Sequence, residues 1–120
     1  IRADFTEESG QRAAQEIVDS GRIPEAVVAV NDLAAIGAMS GLEALGVDVP
    51  RRCRVTGYDD TSLAAIPRIS LTSVDPDNAK IGETAAEALL EAAGPFASPR
   101  EVLVAPRLVV RDSSAGPAPR

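Results

Sequence analysis

Residues Ala26-Val27-Val28-Ala29-Val30 form an unbroken apolar run of strand length, and the polar pair Asn31-Asp32 follows at once. A strand without polar alternation predicts burial on both faces, as in a parallel sheet. Parallel neighbours need a crossover between them, commonly a helix, and helical patterns flank this run on both sides. Upstream, Thr6 is a candidate N-cap, with Glu7 and Glu8 at the positive end of the helix dipole. Ala13, Ala14, Ile17 and Val18 predict the apolar side of a helix running to about Asp19, closed by Gly21. Downstream, a helix is predicted over residues 33–45, packing through Leu33, Ile36, Gly37, Ser40 and Ala44. Either Asn31 or Asp32 can cap it, and Gly46 and Pro50 end it.

The alternation continues along the chain. Residues 54–58 predict a strand with Asp59-Asp60 at its carboxyl end. A short helix is expected over 62–66, stopped by Pro67. Leu71-Thr72-Ser73-Val74 predicts a further strand. Asp75-Pro76-Asp77 is a hinge-like start for a helix to about Ala93, with Ile81, Ala85, Ala88, Leu89 and Ala92 at helical spacing. Gly94-Pro95 stops it. Two strands are expected over 101–105 and 108–110, interrupted at Pro106. Residues 113–120 are small, polar and proline-containing, which predicts disorder. The fold class expected is α/β, part of a doubly wound parallel sheet. Such sheets take ligands beyond the carboxyl ends of their strands, so Asn31-Asp32 and Asp59-Asp60 stand where chemistry is expected.

Composition narrows the function. The 120 residues suffice for one domain, and with aromatics at 2% its core must be aliphatic. A formal net charge of −6 repels a phosphate backbone, so this sequence is not expected to hold nucleic acid by itself. There is no histidine, which removes His-based triads and the commonest zinc ligand. The single cysteine, Cys53, excludes an internal disulfide and reads as a small half-buried strand residue rather than a reactive thiol. No apolar run approaches the roughly 20 residues of a membrane span. The opening Ile1-Arg2-Ala3-Asp4 lacks a signal peptide's apolar region and reads as the middle of a domain. Lys80 is the only lysine, which we ascribe to codon bias.

Six stretches carry a family resemblance. They are Asp4-Phe5-Thr6-Glu7-Glu8-Ser9-Gly10, Val30-Asn31-Asp32-Leu33-Ala34-Ala35-Ile36-Gly37-Ala38, Gly46-Val47-Asp48-Val49-Pro50, Val55-Thr56-Gly57-Tyr58-Asp59-Asp60, Leu71-Thr72-Ser73-Val74 and Leu108-Val109-Val110-Arg111-Asp112-Ser113. In this order and spacing the sequence resembles the lactose/galactose repressor family of transcriptional regulators. The resemblance implies the C-terminal part of a two-lobed, periplasmic-binding-protein-like effector domain, without metal or cofactor, in a cytoplasmic dimeric repressor. It further implies that 1–74 belong to the C-terminal lobe, 75–106 form a helix and strand of the other lobe, and 107–112 return to the first. DNA would be held by a helix-turn-helix head outside this sequence. The helix over 33–45 and the segment after Asp60 resemble the family's dimerisation surface, and the small or apolar Ile36, Gly37, Met39 and Ser40 permit close helix approach. That face could equally pack on its own sheet.

Within this frame three residues are the candidate ligand contacts. Asn31 donates and accepts at once, which suits a pair of sugar hydroxyls, and Asp32 is then available for the cap. The Asp59 carboxylate can accept from two adjacent hydroxyls. Phe5 would offer an apolar face to a sugar ring or purine at the pocket mouth, with core packing as the other reading. Asp60 reads as a turn or cap residue, Tyr58 as a packing residue on the opposite face, and Gly57 as a point of close approach to ligand or neighbouring strand. One departure from the family stands at Pro76, where a long polar side chain is usual and no side-chain hydrogen bond can form.

The leading expectation is therefore an effector-sensing part of a repressor. A sugar-binding protein of a transporter shares the fold and is the alternative. An enzyme built on Asp59-Asp60 would need a further acid and a nearby lysine, and the sequence has no GxGxxG or P-loop. The helix after Asp77, deprived of the other lobe, is expected to fold back on its own sheet or to exchange with a second copy.

Overall fold

The computed structural model describes residues 1–2, 4–92 and 101–115. Its elements are α1 (Glu7–Asp19), β1 (Ala26–Val28), α2 (Asp32–Ala44), β2 (Arg54–Tyr58), β3 (Thr72–Asp75), α3 (Asn78–Ala92), β4 (Arg107–Val109) and α4 (Asp112–Ala115). The four strands form one sheet in the order β1-β2-β3-β4. β1, β2 and β3 are parallel, with Val27 beside Val55 and Gly57 beside Ser73, and β4 runs antiparallel to β3.

Local chemistry sets the helix ends. The Thr6 side chain accepts from Ser9 N at 3.2 Å and starts α1. Gly21 and Gly46, at φ +68° and +81°, follow α1 and α2 in the left-handed turn that stops them. α1 and α2 cross at close range. A Cβ on Gly10 would collide with the Ala34 carbonyl of α2, and one on Gly37 with the Glu7 carbonyl of α1. Gly37 is thus spent inside the subunit. The packing face of α2 is Asp32, Ala34, Ala35, Gly37, Ala38 and Leu42; Leu33, Ser40 and Ala44, expected on it, are exposed. The reason is that α2 buries two sides, one on α1 and one on β2, which a single-stripe reading misplaces. The core is aliphatic as composition requires: Ala14, Ile17, Ala35, Leu42, Val47, Cys53, Val55, Ala64 and Leu71. Cys53 is fully buried, which pushes its thiol pKa up.

Several expectations are corrected. β1 stops at Val28 and lies at the sheet edge, and Val28 is 83% exposed rather than buried on both faces. An apolar groove of about 380 Å³ between β1 and the helices, lined by Ile17, Pro24, Val27, Ala34 and Ala38 among others, opens beside it. Residues 62–66 form successive turns, not a helix, with Ala64 N donating to Thr61 O and Ile66 N to Leu63 O. Residues 101–105 carry no strand, and no strand among the described residues pairs with them. The expected disorder over 113–120 fails at its start. Ser113 is buried in α4, its hydroxyl donating to Val55 O at 2.7 Å and accepting from Thr72 N at 2.8 Å. Residues 116–120, like Ala93 and Gly94-Pro95, lie outside the described residues. α3 does not fold back on the sheet. It buries no residue, and Leu89 and Leu90 are 73% and 78% exposed.

Candidate functional site

Because β1, β2 and β3 are parallel, the segments that leave them emerge at one edge of the sheet. Asn31-Asp32, Asp59-Asp60 and Asp75-Pro76-Asp77 all stand there.

Asn31, not Asp32, caps α2. Its Oδ1 accepts from Ala34 N at 2.9 Å and its Nδ2 donates to the Phe5 carbonyl at 3.1 Å. This corrects the division of labour expected for the pair and joins Asn31 to Phe5. One amide hydrogen and one oxygen lone pair of Asn31 remain for another partner. Phe5 is 65% exposed and does not pack in the core among the described residues.

Asp59 follows β2 at φ +100°, in backbone space that a side chain disfavours. Its N–H donates to Val74 O at 2.9 Å. The carboxylate is half-buried and, among the described residues, accepts no hydrogen bond from the protein. Burial raises its pKa above the usual carboxylate range, and the negative charge of Asp32 raises it further. It is an acceptor with its capacity unspent.

Asp32 was expected only as a cap. It is fully buried, and its Oδ2 accepts from Thr61 N at 2.7 Å and Thr61 Oγ1 at 2.9 Å, while Oδ1 accepts from Ser73 Oγ at 2.5 Å. Gly57 explains how the carboxylate fits, since a Cβ there would strike Asp32 Oδ1. The close approach expected at Gly57 is therefore to this side chain. Asp60, at φ +44°, is an ion-pair partner: Arg111 Nη1 donates to its Oδ1 at 2.7 Å. Arg111 drew attention only as part of a motif, because an arginine's partner across the sheet has no signature in sequence spacing. Tyr58 is 40% exposed and does not pack as expected. Pro76 is buried, and the neighbouring Asp75 accepts from Arg107 at 2.8 Å.

Chemically this edge is a wall with an unspent carboxylate, not an enclosed cavity. A groove of about 390 Å³ lies elsewhere, between α3 and Val102-Leu103-Val104. Among the described residues no three acids, cysteines or histidines are placed to hold a metal ion. No helix among them is long and apolar enough to cross a membrane.

Comparison with known proteins agrees with this architecture. Residues 2–114 match the periplasmic binding protein-like domain. The transcriptional regulator MalR of Streptomyces coelicolor is 39% identical over 112 residues, 92% of this chain and 32% of that protein. The chain thus spans about a third of the length of such a relative. Among solved structures, the complex of the regulator CelR with cellobiose superposes with a TM-score of 0.85 at 33% identity, covering 93% of this chain and 35% of CelR. The lac repressor dimer bound to operator and an anti-inducer superposes with a TM-score of 0.85 at 29% identity, covering 93% of this chain and 39% of the repressor. The chain belongs to the periplasmic binding protein-like domain family, and the proteins it is similar to include the regulator MalR and the lac repressor.

Proposed function

We propose that this chain is the effector-sensing and dimer-forming part of a DNA-binding repressor, and that Asp59 receives the hydroxyls of a sugar-like effector. The carrying observation is the Asp59 carboxylate, uncommitted at the carboxyl edge of a parallel sheet. Phe5 and Asn31 supply an apolar face and a residual donor and acceptor beside it. CelR, bound to cellobiose, supports a sugar as effector class, and MalR's role supports a regulator over a transporter's binding protein.

Ligand binding works here by population shift. An effector contacting two lobes favours the lobe arrangement in which both contact it, and the dimer passes that preference to paired DNA-binding heads. In this reading residues 1–74 and 107–112 form one lobe, and 75–106 belong to the other. That α3 buries no residue among the described ones supports the second assignment. Ile36, Met39 and Ser40 of α2, with Arg68 and Ile69, line a shallow groove of about 240 Å³ that remains for a second subunit.

The test is calorimetry of the full-length regulator with a panel of neutral mono- and disaccharides, cellobiose included. Asp59→Asn keeps the side-chain shape and tolerates positive φ. It removes charge-assisted bonds worth roughly 1.5–3 kcal/mol, so affinity should fall on the order of ten- to a hundredfold. Equal affinity in the variant overturns the assignment.

A further inference from the structure

The loop that presents Asp59 is held by three successive backbone N–H groups, each on a different partner. Asp59 N donates to Val74 O at 2.9 Å, Asp60 N to Ser73 Oγ at 3.1 Å, and Thr61 N to Asp32 Oδ2 at 2.7 Å. The last two partners are themselves bonded, since Ser73 Oγ donates to Asp32 Oδ1. Asp59 and Asp60 both take positive φ, a conformation that persists only where the surroundings over-determine it. A helix cap would need none of this, and Asn31 already supplies the cap.

We propose that Asp32 is the positioning residue of the effector site: its buried carboxylate, reaching from α2 to Ser73 of β3 and to Thr61, clamps the 59–61 loop so that the Asp59 carboxylate stands free at the sheet edge. The proposal deepens the effector reading and rests on it for its meaning.

The residue type follows from the bonding. A carboxylate offers about four lone-pair sites and no hydrogens, and here three donors converge on it. A carboxamide would turn an N–H₂ toward the Thr61 or Ser73 donors. Gly57, the residue of β2 opposite Ser73, leaves the space that the carboxylate fills. Charge accounting separates Asp32 from its neighbours. Asp60 is paired with Arg111 and Asp75 with Arg107, so their fields are largely cancelled. Burial is the first cause of the raised Asp59 pKa, and the charge of Asp32 raises it further.

The experiment reads Asp59 and its loop directly, without an effector, in the full-length regulator. Amide hydrogen exchange is measured at Asp60 and Thr61, and the Asp59 carboxyl carbon is titrated by NMR, in the native protein, Asp32→Asn and Ser73→Ala. Both variants should speed exchange at Asp60 and Thr61 at least tenfold while amides of Ala14 and Ile17 in α1 hold their protection. The Asp59 titration midpoint should move down in Asp32→Asn, which loses the charge, and stay in place in Ser73→Ala, which keeps it. A purely structural role would not produce that split. Unchanged exchange at Thr61, a uniform rise across the core in Ser73→Ala, or an unmoved Asp59 midpoint in Asp32→Asn would each overturn the proposal. Failure of the effector reading shows elsewhere, as unchanged sugar affinity in Asp59→Asn.

Discussion

Arg111 Nη1 meets Asp60 Oδ1 at 2.7 Å across 51 positions of sequence, with both side chains largely covered, 18% and 14% exposed. The same nitrogen donates to Leu71 O at 2.8 Å. The pair ties the segment after β4 to the loop after β2. Replacing one partner leaves the other charge largely covered and alone. Arg111→Ala is expected to lower stability by roughly 1.5–3 kcal/mol, read by urea unfolding. Arg111→Met with Asp60→Asn should lose less than Arg111→Ala, because neither partner is then stranded as a charge.

Ser113 is a hydroxyl buried between two strands, bonded to Thr72 N and Val55 O. Ser113→Ala keeps the volume but leaves both backbone groups unpaired. It should cost about 1–3 kcal/mol in the same assay. A loss below a few tenths would mean that α4 does not close the sheet as described.

Gly57 has no room for a methyl group, between Asp32 Oδ1 and Leu71 Cδ2, the latter 3.0 Å from an ideal Cβ. Gly57→Ala should destabilise by roughly 1–3 kcal/mol through overpacking. It should also weaken protection of the Thr61 amide, because the atom that must move is the one that holds it. Thermal melts and exchange at Thr61 check the two effects.

Asp75 has its pKa lowered by the Asp77 N–H and by Arg107. A depressed carboxylate pKa stabilises the fold at pH values above its unfolded value, about 3.9. That contribution is lost as pH falls through the lower, folded pKa. Arg107→Ala should therefore reduce stability at neutral pH and flatten the loss below about pH 4. A pH series of unfolding midpoints compares the two proteins, and parallel acid limbs would show the pair to be inert.

Much of the architecture was legible along the chain. Thr6, Gly21 and Gly46 bound helices by local backbone chemistry, which needs no tertiary partner. The apolar run at 26–30 and the strand-like segment 54–58 place parallel strands, and with them the edge where Asp59 stands. What could not be read is whatever depends on a distant partner. Residues 101–105 have strand composition, but a strand exists only when another pairs with it. Ser113 belongs to a disorder-prone composition, yet Thr72 and Val55 order it. The largest shift concerns Asn31 and Asp32. Either side chain can cap a helix, and nothing local decides between them. The tertiary structure decides, because Ser73, Thr61 and the space at Gly57 converge on Asp32 and make it a buried acceptor, which leaves the cap to Asn31.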